Sequence, residues 1–244
     1  MCQQCPQGGV SLSRRHLLTT GGKFAALAAA AALLPRTAAF AQDAPPNAIS
    51  PDAALERLMA GNARYAANQP EQKDFSAGRA ARAAGQYPIA AIVSCADARV
   101  APELVFDEGP GELFVVRVAG NFVNEDGLAS IEYGLAVLGA PLIMVLGHSG
   151  CGAVDATIKV IKDNITLPGH LPELVAALKP GVEAAIAKKP SPTDLLSVAI
   201  AENVHHNVGY LKTATPIVSE KVATGKAKVV GAVYDIATGK VNLL

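Results

Sequence analysis

Apolar residues gather into three short runs, "IAAIVS" at 89–94, "LFVVRV" at 113–118 and "PLIMVLG" at 141–147, each of strand length and nearly free of polar interruption. Strands buried on both faces read this way, whereas half-exposed strands alternate. Between the second and third runs Leu128, Ile131, Leu135 and Leu138 recur at helical spacing, and Gly139 marks a stop. Upstream, Ser50-Pro51-Asp52 offers an N-cap, a proline for the first turn and an early acid, followed by Leu55, Leu58, Met59 and Tyr65 on one helical face. A short helix is expected around 79–84, one from 172 to 188 broken or kinked at Pro180-Gly181, and another from 194 to 213. The ending "KVVGAVYDIATGKVNLL" reads as strand, turn and strand. Buried strands separated by helices predict an α/β fold: a mainly parallel β-sheet flanked by helices, with an antiparallel C-terminal edge strand.

The first 41 residues have a different character. Arg14-Arg15 precede a glycine- and alanine-rich apolar stretch from Gly21 to Leu34, and Ala39-Phe40-Ala41 supplies a small-residue cleavage site. This is the layout of a cleavable twin-arginine signal, residues 1–41, and the stretch is too short to cross a ~30 Å hydrocarbon core. A periplasmic or secreted protein, exported folded and with no stable membrane anchor after cleavage, is expected. Cys2 and Cys5 fall in the leader. Residues 42–49, rich in proline, read as a flexible arm, and 50–244 as one domain.

Cleavage would remove Arg14, Arg15, Lys23 and Arg36 and no acid, taking the balance of 21 basic and 21 acidic residues to 17 against 21. A mildly acidic chain without a basic block excludes a nucleic-acid surface.

Two cysteines remain, and each directly follows an apolar run: Cys95 in "CADAR", and Cys151 with His148 in "GHSGCGAV". Ligands in open parallel sheets bind beyond the carboxyl ends of strands, where strand order reverses. Should the first and third runs be neighbours there, two thiolates and an imidazole would converge as a zinc set with one tetrahedral position open. Gly147, Gly150 and Gly152 would let the chain turn so that His148 and Cys151 meet one ion. The competing readings are a disulfide, a core histidine and small buried thiols. Asp97 and Arg99 follow Cys95 closely; the aspartate would either ligate the ion or orient water on it, unless the two form a plain surface ion pair.

Taken in order, "CADAR", "VVRVAGN", "SIEYGLAVLGAP" and "GHSGCGAV" resemble the β-class carbonic anhydrases from about Ser50 onward. That resemblance implies zinc on Cys95, His148 and Cys151, and a catalytic dyad of Asp97 and Arg99. Gln86, Phe114 and Tyr133 match the plant-like branch of the family, in which water keeps the fourth zinc position. With the Gly152 N–H they would line the substrate pocket. Val118 departs from the asparagine that often follows the arginine in plant relatives. The implied reaction is reversible hydration of carbon dioxide to bicarbonate and a proton by zinc-bound hydroxide, in a homodimer or dimer of dimers with pockets at the interface. His170, His205 and His206 are candidates for carrying the proton to solvent. A carbon disulfide or carbonyl sulfide hydrolase on the same scaffold is one rival reading. A non-catalytic zinc-binding protein of the periplasm is another.

Overall fold

Helix α1 (Pro51–Ala66) starts as its sequence directs: Ser50 is extended, its hydroxyl accepts the Ala53 N–H at 3.1 Å, and Pro51 fills the first turn. The remaining elements of the computed structural model, which describes residues 45–244, are α2 (Arg79–Ala84), β1 (Ala90–Cys95), α3 (Pro102–Val105), β2 (Leu113–Val118), α4 (Glu125–Ala136), β3 (Leu142–His148), α5 (Gly152–Asp163), α6 (Leu171–Ala187), α7 (Leu195–Thr213), α8 (Ile217–Ala223), β4 (Lys228–Tyr234) and β5 (Val241–Leu243). The leader, 1–41, and the first residues of the arm lie outside the described residues. The arm's far end is tied down, because buried Asn47 donates to the carbonyls of Pro88 at 3.1 Å and Leu138 at 2.7 Å.

The sheet runs β2-β1-β3-β4-β5, parallel throughout except for β5, which is antiparallel to β4. The expected α/β architecture is therefore present. Every residue of β1 and β3 is buried, which is why their sequences show no alternation. One face of the sheet packs Ile92, Met144 and Leu146 against Leu58 of α1, Val105 of α3 and Phe106, which caps α3. On the other, Ala91, Val93, Ile143 and Val145 meet Ile131 and Leu135 of α4, Val204 and Leu211 of α7 and Val218 of α8. Each fully buried large aliphatic contributes roughly 1.5–3 kcal/mol relative to exposure. A third cluster joins Val154, Ile158, Val182, Ala185, Ala199 and Ile200 to the two cysteines, so a wedge of α5, α6 and α7 seats the carboxyl end of the sheet.

Two expectations about the helices change. Leu171–Ala187 is one helix with Pro180 inside it, so of the expected break or kink the break is absent. The adjacent Gly181 has a packing reason: a Cβ there would stand 2.6 Å from the Asn203 Cα, so α6 and α7 touch backbone to backbone. Leu138 lies beyond the end of α4, which stops at Ala136 before Gly139 turns left-handed at φ +74°.

Gly61 is the least replaceable of these small residues. A Cβ there would sit 1.8 Å from the Phe106 carbonyl oxygen, a backbone atom that cannot swing aside. Gly61→Ala is expected to destabilise the fold by about 3 kcal/mol, lowering Tm by about 10 °C in a chain of this size. Thermal unfolding followed by circular dichroism checks this, and an unchanged Tm would show that α1 is not seated on α3.

Candidate metal centre

Strand order reverses between β1 and β3, because the chain leaves β1 for β2 on one side and returns to β3 on the other. Cys95 ends β1 and His148 ends β3, while Cys151 is the N-cap of α5 three residues later. Their donor atoms lie within 4.8 Å of one another, and all three residues are buried, His148 completely. Neither cysteine is in a disulfide.

Of the three glycines credited with turning the chain, only Gly150 does so, at φ +64°. Gly147 lies inside β3, where a Cβ would approach Val204 of α7 to 2.8 Å, so it serves packing. Gly152 opens α5, and nothing within 4 Å would obstruct a Cβ there.

The donor set fits a divalent zinc-like ion. His148 Nδ1 lies 3.0 Å from the Ser149 carbonyl oxygen, an acceptor only, so the proton belongs on Nδ1 and Nε2 carries the lone pair. That Nε2 is buried and has no hydrogen-bond partner among the described residues. An orphaned buried acceptor beside two thiols is costly unless an ion satisfies it. The Cys151 thiol is the largest influence on Cys95, holding it down to about 4 against the opposing effect of burial, with His148 and the Gly120 and Asp97 amides helping. Cys151 is pushed up, first by the same pairing with Cys95 and then by burial. The Ala153 and Val154 amides at the start of α5 oppose that rise.

Asp97 stands at the rim of this set, its Oδ2 3.8 Å from His148 Nε2. Arg99 grips both carboxylate oxygens, Nε to Oδ1 at 2.9 Å and Nη2 to Oδ2 at 2.7 Å, and its backbone N–H also donates to Oδ1 at 2.9 Å. The guanidinium is the main reason that the carboxyl is held well below the usual carboxylate range.

Sequence reasoning missed the residue that holds this loop in place. Arg117 donates from Nε to the Cys95 carbonyl at 2.9 Å and from Nη2 to the Asp97 carbonyl at 2.7 Å. The signal was present, since a lone arginine interrupts the apolar run "LFVVRV". Ser149 does the same for the second loop: its N–H donates to the Tyr234 carbonyl at 2.9 Å, and its hydroxyl accepts the Ile236 N–H at 3.0 Å. Arg117→Ala is expected to weaken zinc retention about ten- to a hundredfold in competition with a chelator. Unchanged retention would show that the loop holds without it.

Gln86, Phe114 and Tyr133 stand apart from the three donors. Phe114 pairs with Ala91, four residues before Cys95, which places it ~13 Å along the strand from the metal ligands. Gln86 precedes β1 and is exposed, as is Tyr133, whose ring lies 6.2 Å from that of Phe114. His170, His205 and His206 are exposed, before α6 and on α7.

Comparison with known proteins identifies the family. Residues 90–241 match the family described as Carbonic anhydrase. Carbonic anhydrase 2 of Mycobacterium tuberculosis is 39% identical over 195 residues, covering 80% of this chain and 93% of that protein. The Pseudomonas aeruginosa carbonic anhydrase is 36% identical over 169 residues, 65% of this chain and 74% of that one. Among solved structures, the β-carbonic anhydrase CcaA superposes with a TM-score of 0.61 at 28% identity, covering 78% of this chain and 94% of that one. The Coccomyxa β-carbonic anhydrase in complex with acetazolamide gives a TM-score of 0.61 at 25% identity, covering 93% and 84%.

Proposed function

The chain belongs to the β-class carbonic anhydrase family, and on that premise we propose that it hydrates carbon dioxide reversibly to bicarbonate and a proton, using one zinc ion per subunit. The observation that carries the reading is the buried Cys95–His148–Cys151 set, whose His148 Nε2 has no hydrogen-bond partner among the described residues. When bound, zinc supplies the Lewis acidity that makes water nucleophilic near neutral pH.

The chain's own residues supply the rest. Cys95, Cys151 and His148 Nε2 hold the ion, and the Ser149 carbonyl fixes the histidine tautomer. Asp97, kept ionised by Arg99, accepts a hydrogen bond from the attacking water and aims its lone pair at carbon. The guanidinium engages both carboxylate oxygens, which favours an orienting role for Asp97 over ligation and so supports the branch with water in the fourth position. The Gly152 N–H, at the start of α5 beside Cys151, donates to the developing bicarbonate oxygens, and the Gln86 amide joins it where a second copy of the chain brings that residue to the site. Phe114 and Tyr133 form an apolar seat for carbon dioxide. Since Phe114 lies four residues from the ligand end of its own sheet, a second copy of the chain completes the pocket, which supports a homodimer as the active unit.

Stopped-flow carbon dioxide hydration on the zinc-assayed protein tests the activity. Rapid turnover that rises with zinc content is expected. A zinc-replete but inert sample, or one that turns over only carbon disulfide or carbonyl sulfide, would overturn the assignment. We also propose export through the twin-arginine route with cleavage after Ala41, so the exported protein's N-terminal sequence begins at Gln42.

A further inference from the structure

A buried polar network outside the ligand set joins α7 to the loop that follows β2. Asn203 and Asn207 lie one turn apart on α7 and are 1% and 2% exposed, on a face otherwise made of Ala199, Ile200, Val204, Val208 and Leu211. Two amides among aliphatics are costly unless partnered, and these are spent on one loop. Asn203 Nδ2 donates to the Gly120 carbonyl at 2.8 Å, and Asn207 Oδ1 accepts the Val123 N–H at 2.8 Å. Asn207 Nδ2 donates to the Asn203 backbone carbonyl at 2.8 Å, locking the pair together.

Between these two anchor points the chain turns left-handed twice, at Gly120 (φ +85°) and Asn121 (φ +46°). The Gly120 N–H lies in that turn and donates to the Cys95 sulfur at 3.2 Å. Helix α6 backs the arrangement from behind: a Cβ on Gly120 would meet Leu178 at 2.8 Å, and Gly181 lies against the Asn203 backbone. The network therefore has one outlet toward chemistry, a single N–H aimed at a metal-ligand sulfur.

We infer that Asn203 and Asn207 are positioning residues for the metal centre, holding the Gly120 amide on the Cys95 sulfur and so setting how much charge that thiolate passes to the ion. This rests on the zinc reading above. A hydrogen bond to a ligand sulfur withdraws electron density from it, which leaves a bound ion more electron-poor and a stronger Lewis acid. Releasing the loop makes the sulfur a more generous donor and the ion a weaker acid.

The test replaces zinc with cobalt(II) in the full chain and reads the thiolate-to-cobalt charge-transfer band beside hydration activity. Asn203→Ala is expected to move the band to longer wavelength and to lower activity about ten- to a hundredfold. Val208→Ala, on the same helix but packed against Gly231 of β4 and making no hydrogen bond to the loop, is expected to lose stability and leave the band in place. Where Asn203→Ala yields no folded protein, Asn207→Ala carries the same prediction with a smaller shift. A band present in the unsubstituted chain and unmoved in the asparagine variants overturns the inference alone. Equal shifts in Val208→Ala also overturn it, since general loosening would then suffice. An unsubstituted chain with no such band overturns the zinc reading and this inference together.

Discussion

With Cys151 replaced by serine, carbon dioxide hydration is expected to fall by more than about a hundredfold, the upper end of what loss of an outer-sphere partner costs, and zinc content to fall with it. Serine matches the cysteine closely in size and is a favoured N-cap, so α5 keeps its start and the third core cluster keeps its volume. What disappears is an ionisable sulfur: the thiolate is the ligand form, and a serine hydroxyl does not reach the anionic state at neutral pH. Loss of function without loss of fold isolates coordination as the cause. Stopped-flow hydration, metal analysis and circular dichroism on the same sample read all three. Full activity in the folded variant would remove Cys151 from the mechanism.

Asp97→Asn is expected to lower kcat about 10²- to 10⁴-fold while zinc content stays at one per chain. The substitution preserves shape but removes the charge that Arg99 grips at two oxygens, leaving one acceptor and an amide that opposes the guanidinium. An asparagine presents a donor to the attacking water as readily as an acceptor, so the lone pair is no longer aimed. Retained zinc separates this role from ligation, since a carboxylate that closed the coordination shell would take zinc affinity with it when neutralised. Zinc lost in proportion to activity would place Asp97 in the coordination shell.

The catalytic end of the molecule was legible because it is written locally. Cys95, Asp97 and Arg99 share one turn, His148 and Cys151 another, and the two turns follow apolar runs whose burial on both faces marked them as central parallel strands. The condition left open, that the first and third runs be neighbours, is met by the pairing of Ala91 with Ile143 through Ser94 with Leu146. Elements held by packing alone were harder to read. Helices α3 and α8, four and seven residues long, are too short to show a helical period. Pro180 signalled a break or a kink, and the helix runs on through it where α6 lies close against α7. Gly147 looked like a turn residue because its reason for lacking a Cβ is Val204, 57 positions away in the chain. Arg117 and Asn203 escaped for the same cause, since each acts on a loop 20 or more residues distant. Gln86, Phe114 and Tyr133 were expected in the pocket from family likeness alone, and a single chain does not bring Phe114 to the carboxyl end of the strands.

X-ray absorption at the zinc edge tests the central claim most directly, because it counts the atoms around the ion. The account predicts one zinc per chain with two sulfurs near ~2.3 Å, one nitrogen near ~2.0–2.1 Å and one light oxygen scatterer, with one sulfur lost in Cys151→Ser. A shell without two sulfurs, or one that Cys151→Ser leaves unchanged, would contradict it.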